Sequence, residues 1–174
     1  MNNQLIKASL AEVNELQYIC RQAYAQNFGH HWNENGLELY LEAEFGTEVL
    51  SANLKNDVFE YYFIQVNGTS IGFIQLNHRI NLPGEEAVRA TELKKIYILP
   101  QHKGGGTGSH MIQQVIGMAR SKKNTVLFLY VIDQNFNAIA FYEKVGFRFH
   151  SKTRVDVPFF KDELRGMHCM YIEI

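Results

Sequence analysis

Residues 93–109 read Leu93-Lys-Lys-Ile-Tyr-Ile-Leu-Pro-Gln-His-Lys-Gly-Gly-Gly-Thr-Gly-Ser109, and this run decides the fold. Its first half is rich in β-branched and aromatic residues, so a strand is expected over 92–99, and Pro100 ends it because proline cannot donate to a sheet ladder. After the glycines, Met111, Ile112, Val115, Ile116 and Ala119 recur at helical spacing, which predicts a helix to about residue 122. A glycine run at a strand-to-helix junction lets the backbone approach a ligand closely and turn its amides inward. The helix start adds unpaired N–H groups and partial positive charge, so the junction suits a phosphate or diphosphate. A triphosphatase loop would need Lys after its last glycine, but Ser109 and His110 follow Gly108. A dinucleotide fingerprint needs a third glycine that is misplaced here. The alternative is a glycine turn without a ligand, which would cost much chain entropy with no return.

Working outward, residues 125–132 are continuously apolar, as a strand buried on both faces should be. Asn135 is a good N-cap for a helix running to Val145, and Gly146 suits the position after its end. Closing strands are expected over 147–150 and 167–174. Upstream, a short strand over 5–8 precedes Ser9-Leu-Ala-Glu12, a capping box. Val13, Leu16, Ile19, Cys20 and Ala23 then mark a helix, with further helices over 35–43 and from Thr47. Between residues 58 and 77, two β-rich runs flank Asn67-Gly68, a pair suited to the positive φ angles of a tight hairpin. Residues 78–91 read as a polar loop.

The chain has 174 residues, of which 46% are hydrophobic and 20% charged, with a formal net charge of −1. That is one domain of ordinary soluble composition, expected to span 1–174 with no linker. The charge argues against a nucleic-acid partner, and no apolar run is long enough to cross a bilayer, so no membrane partner is expected. The N-terminus lacks the charged start and apolar stretch of a secretion signal. Cys20 and Cys169 are the only cysteines. Both facts lead us to expect a cytoplasmic protein with reduced thiols. Residues 1–60 carry nine acidic side chains against three basic ones, whereas the rest has a basic excess. Either these are solvated helix faces, or an acidic wall faces a cationic substrate while a basic half holds an anionic one. The seven histidines form no zinc-binding spacing, so no metal is expected.

A second stretch completes the pattern: Asn135-Phe-Asn-Ala-Ile-Ala-Phe-Tyr-Glu-Lys-Val-Gly-Phe147. In this order, the two stretches resemble the strand-plus-diphosphate loop (R/Q-x-x-G-x-G/A) and the N-x-x-A-x-x-F-Y-x-K-x-G-F helix of the GCN5-related N-acetyltransferase superfamily. The likeness covers residues 58–174, the expected acetyl-CoA-binding core. Residues 1–57 match only in being helical, which is where the superfamily varies its acceptor site. The resemblance implies an α+β, three-layer α/β/α fold. Its central twisted sheet would be mixed, mostly antiparallel, with about six or seven strands, splayed parallel central strands and flanking helices. It also implies an enzyme that transfers acetyl from the co-substrate acetyl-CoA to a primary amine by direct attack. Backbone groups along Ile96, Tyr97 and Ile98 would face the pantetheine arm. Lys103, Gly104, Gly105, Gly106, Thr107, Gly108 and Ser109 would hold the diphosphate. Asn135 and Asn137 would reach the arm, and Lys144 would lie near the nucleotide. Lys103 stands where Arg or Gln is usual and Gly105 where a second basic residue is frequent, so backbone amides must do more of the holding. A homodimer is compatible with the superfamily.

Attack requires a neutral amine, hence a base, and the departing thiolate benefits from an acid. By the resemblance Tyr142 is that acid; the alternative is a core aromatic packed with Ala138 and Val145. Glu92, at the start of the strand beneath the thioester, is the candidate base; the alternative is an edge carboxylate paired with Lys94 or Lys95. Tyr24, Phe28, Trp32 and Tyr40, set among glutamates, carry a weaker likeness to the bacterial spermidine/spermine acetyltransferase branch. They suit a polycation through cation–π and ionic contacts, or else pack helices onto the sheet. A catalytically silent module that senses CoA is the rival function. Other acceptors in play are a protein N-terminus, a lysine, an aminoglycoside or an amino acid.

Overall fold

A computed structural model describes residues 3–174. Among the described residues, seven strands form one sheet in the order β1-β2-β3-β4-β5-β7-β6. They are β1 (Asn3–Lys7), β2 (Phe59–Val66), β3 (Thr69–Leu82), β4 (Glu85–Ile98), β5 (Val126–Ile132), β6 (Arg148–Arg154) and β7 (Gly166–Glu173). Only β4 and β5 run parallel; every other neighbouring pair is antiparallel. The helices are α1 (Val13–Phe28), α2 (Gly36–Phe45), α3 (Thr47–Leu54), α4 (Thr107–Ser121) and α5 (Phe136–Val145). The mixed, mostly antiparallel sheet with helices on both faces is the expected α+β architecture.

Local chemistry explains most boundaries. The Ser9 backbone N–H and hydroxyl both bond the Glu12 carboxylate, at 2.9 and 2.8 Å, which closes the capping box ahead of α1. Asn67 and Gly68 have φ of 50° and 81°, the left-handed pair that a two-residue hairpin demands. Asn135 Oδ1 accepts from the Ala138 N–H at 3.2 Å, and Gly146 ends α5 at φ 108°.

Residues 78–91 are not a loop, which corrects the sequence reading. They continue β3 and β4 into a long hairpin whose tip is Pro83-Gly84. The register passes from Asn77↔Glu92 to Ile80↔Ala90, so His78 and Arg79 together face Thr91. This bulge, with Arg79 at φ 57°, breaks the alternation by which a strand is recognised. The polar side chains there are satisfied. His78 Nε2 lies 2.9 Å from Glu60 and its Nδ1 3.2 Å from Thr91 Oγ1, and Arg79 pairs with Asp57.

Two main cores lie on opposite faces of the sheet. Met111, Ile112, Val115 and Ile116 of α4 pack with Leu93, Leu127, Leu129 and Val131, and α5 joins through Ile139, Tyr142 and Val145. On the other face, Leu16, Ile19 and Ala23 of α1, Leu41 and Phe45 of α2, and Leu50 of α3 pack with Tyr61, Phe63 and Phe73. At about 1.5–3 kcal/mol per large buried side chain, these layers fix where both helix sets sit.

Candidate active site

The sheet opens between β4 and β5. Their parallel pairing covers Ala90↔Val126, Thr91↔Leu127 and Glu92↔Phe128 and goes no further, although both strands continue. A second irregularity lies at the vertex. Gln75 faces Lys95 and Leu76 faces Leu93, so Lys94 is an extra residue in β4. A bulge bends its strand and adds twist, which turns the end of β4 away from β5.

Hydrogen-bond parity shows what faces the gap. The Leu99 N–H bonds the Ile71 carbonyl at 2.9 Å, one step beyond the Ile98↔Gly72 pair. In an antiparallel ladder, hydrogen-bonded and open pairs alternate. Leu99 and Tyr97 therefore aim their backbone groups at β3, and Ile96 and Ile98 aim theirs into the gap. The Tyr97 ring turns to the α1–α2 side of the sheet, with its centroid 5.0 Å from Phe28 and 5.6 Å from Tyr24.

At the upper end of the gap, Gly104, Gly105 and Gly106 have φ of 93°, 60° and 79°, and their Cα atoms have open space around them. The left-handed run is the reason for glycine here, since any side chain would be strained. It delivers the chain into α4, whose first-turn amides have no helical partner. Thr107 is buried, whereas Lys103 to Gly106 are exposed. Asn137 and Lys144 are exposed along α5, and Asn135 caps it.

Tyr142 is half-buried on α5, its ring 5.2 Å from Phe141 and 5.6 Å from Phe147. Among the described residues its hydroxyl makes no hydrogen bond. Burial pushes the phenol well above its usual range, so it keeps its proton. Glu92 lies at the vertex with 4% exposure. Its carboxylate accepts from Asn77 Nδ2 at 2.8 Å and lies 3.3 Å from Lys94 Nζ. Lys95 is buried instead against Glu44, at 2.7 Å, and Gln75, at 3.1 Å.

On the α1–α2 side the structure brings Tyr24, Phe28, Trp32 and Tyr40 together. Tyr24 and Tyr40 centroids are 4.7 Å apart, Trp32 and Tyr40 4.6 Å, and Tyr24 and Phe28 5.3 Å. Tyr24 and Trp32 are buried, so much of this cluster is packing. Among the described residues, His31 Nδ1 is buried inside it without a hydrogen-bond partner. Burial, with smaller contributions from His30 and Lys161, pulls His31 down to about 4. Glu38 and Glu42 are exposed and bridge to Arg21 of α1. Nothing in the spacing of His31 marks it in the sequence. Phe160, which packs 5.0 Å from Trp32, is distant in sequence and reaches the cluster only through folding. The two cysteines are buried, as core residues, and burial pushes Cys169 up to about 11.

Comparisons with known proteins agree with this geometry. Residues 17–147 match the family model described as Acetyltransferase (GNAT) family. An uncharacterized N-acetyltransferase in the pepI 3'region of Lactobacillus delbrueckii subsp. lactis is 23% identical over 143 residues, covering 82% of this chain and 83% of that protein. The PaiA N-acetyltransferase from Thermoplasma acidophilum, solved in complex with coenzyme A, superposes with a TM-score of 0.77 at 20% identity over all of both chains. A mutant form of the spermidine N-acetyltransferase SpeG from Vibrio cholerae has a TM-score of 0.69 at 15% identity, covering 98% of this chain and 93% of that one. With the family model spanning most of the chain and a splayed sheet ending in a glycine-rich helix start, this protein belongs to the acetyltransferase (GNAT) family, enzymes that use acetyl-CoA to acetylate amines.

Proposed function

We propose that acetyl-CoA lies in the β4–β5 gap and passes its acetyl group directly to an amine arriving from the α1–α2 side. The observation that carries this is the coincidence of three features at one place. These are the lost pairing beyond Glu92, the gap-facing backbone of Ile96 and Ile98, and the left-handed glycine turn at the start of α4. The pantetheine arm pairs along Ile96 and Ile98 as an added strand. Amides from Gly104 to Ser109, with Lys103, take the diphosphate. Asn135 and Asn137 line the arm's other side, and Lys144 lies toward the nucleotide. Holding both substrates in one cleft removes most of the entropic cost of their meeting.

In this reading the amine nitrogen attacks the thioester carbon, and Glu92, directly or through a water, takes its proton. The tetrahedral intermediate then collapses, the C–S bond breaks, and Tyr142 gives its proton to the thiolate. A phenol held protonated by burial, with no competing hydrogen bond, suits that step.

The acceptor we favour is a polyamine of the spermidine or spermine type. Two things support it: the likeness to the spermidine N-acetyltransferase SpeG, and the exposed carboxylates Glu34, Glu38 and Glu42 on or just before α2, the helix that carries Tyr40, the latter two paired with Arg21. The amine chain would lie against the ring faces left open by the cluster of Tyr24, Phe28, Trp32 and Tyr40, while a distal ammonium meets the carboxylates. The test is an amine panel, polyamines first, read by release of free thiol alongside binding of acetyl-CoA. Thiol release that is fastest with polyamines supports the reading. Binding without release, across the whole panel, would favour the silent CoA sensor.

A further inference from the structure

Asn27, in the last turn of α1, joins the acceptor-side helices to the cofactor gap. Its Nδ2 donates to the Ala23 carbonyl one turn back, at 2.7 Å, and to the Ile98 carbonyl on β4, at 2.9 Å. Its Oδ1 accepts from the Lys103 ammonium. The Ile98 carbonyl is one of the backbone groups that face the gap, and Lys103 is the sole cationic side chain of residues 103–109. One amide thus touches both a wall of the slot and the charge at its mouth, 71 and 76 residues away in sequence.

We propose that Asn27 is a positioning residue for acetyl-CoA: it orients the Ile98 carbonyl along the slot and holds the Lys103 ammonium ready for the diphosphate. The inference rests on the proposed place of acetyl-CoA in the β4–β5 gap. An ammonium has three N–H donors. Asn27 takes one and leaves two for phosphate oxygens, and because the amide is neutral it leaves the full positive charge in place. Ordering a flexible lysine before the ligand arrives removes part of the entropic cost of binding. A carboxylate in the same position would do the opposite. It would neutralise Lys103, repel the diphosphate and fail to donate to Ile98.

The test uses the full chain with Asn27→Ala, Asn27→Asp, Lys103→Ala and the Asn27→Ala/Lys103→Ala double variant. Binding is titrated with CoA and with S-acetylpantetheine, which lacks the diphosphate, and kcat, KM and melting temperature are recorded. Asn27→Ala should raise KM for acetyl-CoA about 5- to 10-fold with kcat little changed, the loss of one or two hydrogen bonds. Asn27→Asp, though closest in shape, should bind CoA more weakly than Asn27→Ala. Lys103→Ala should cost less in the Asn27→Ala background than alone, because the two act as a unit. With S-acetylpantetheine the Lys103→Ala effect should vanish and part of the Asn27→Ala effect should persist. The proposal is overturned if Asn27→Asp binds CoA as well as wild type, if the two single changes add independently, or if kcat falls with the melting temperature while KM stays fixed. Should the wild-type chain itself fail to bind CoA, the placement of acetyl-CoA fails; should it bind while the Asn27 variants are unchanged, only the present inference does.

Discussion

Tyr142 sits on α5 and Glu92 at the vertex of β4, and they differ in what surrounds them. The phenol has no hydrogen-bond partner among the described residues, and burial keeps it protonated well past neutral pH. Tyr142→Phe should therefore lower kcat by about 100-fold, the lower range for general acid–base catalysis, and leave acetyl-CoA affinity nearly intact. Steady-state kinetics with a CoA titration checks this, and an unchanged kcat removes the role. Glu92, by contrast, is anchored by Asn77 and Lys94. Glu92→Gln should reduce kcat and alter the pH–rate profile. A profile of unchanged shape would leave Glu92 as a structural carboxylate. His31 carries a separate, pH-linked prediction. The fold keeps its imidazole neutral down to about 4, whereas the unfolded chain takes up a proton near 6.5. Stability is therefore lost as pH falls from about 6.5 toward 4, by roughly 1–3 kcal/mol in all. In urea titrations across pH 7 to 5, His31→Phe should flatten that slope. Glu60, held ionised first by His78 and then by Lys7, Tyr62 and Lys122, acts only at lower pH, when carboxylates protonate.

At the scale of elements, the site is made by two departures from regular pairing, the Lys94 bulge and the splay above Glu92. At Gly72, β3 packs directly against the backbone of β4. A Cβ there would lie 2.3 Å from the Tyr97 carbonyl oxygen and 2.9 Å from the Ile98 Cα. Both are backbone, so β4 itself would have to move. Gly72→Ala should cost about 1–3 kcal/mol and also raise KM for acetyl-CoA, because the displaced segment carries the gap-facing groups. Denaturation and kinetics on the same variant check both parts, and a stability loss without a change in KM would separate β3 packing from the slot. The sequence was most legible where local chemistry decides. The Asn67-Gly68 turn, the Ser9–Glu12 box, the Asn135 cap and the glycine run all form as their residue types require. It was least legible at residues 78–91, where the bulge at His78-Arg79 destroys the alternation and buried polar partners replace apolar ones. The roles of Asn27 and of the Lys94 bulge depend on which strands become neighbours, so no local pattern announces them.

Across the whole molecule, the two apolar cores divide the labour. One seats α4 and α5, which carry the glycine turn and Tyr142; the other seats α1 to α3, which carry the acidic and aromatic residues. The uneven charge of the chain follows that division, with exposed glutamates on α1 to α3. Much of the aromatic cluster is buried, so Trp32→Ala should destabilise the fold by about 3–5 kcal/mol, as large core truncations do, whatever it does to the acceptor. Replacing Glu38 and Glu42 by Gln is the cleaner probe. It should raise KM for a polyamine several-fold, more at low salt than at high, and leave KM for acetyl-CoA unchanged. Equal effects on an uncharged-tail monoamine would argue against recognition of a distal ammonium. The most direct measurement of the whole account is a crystal structure with CoA bound. We predict the diphosphate on the amides of residues 104–109, the arm paired with Ile96 and Ile98, and the thiol within hydrogen-bonding reach of the Tyr142 hydroxyl. CoA bound elsewhere with that turn empty, or a sulfur remote from Tyr142, would contradict it.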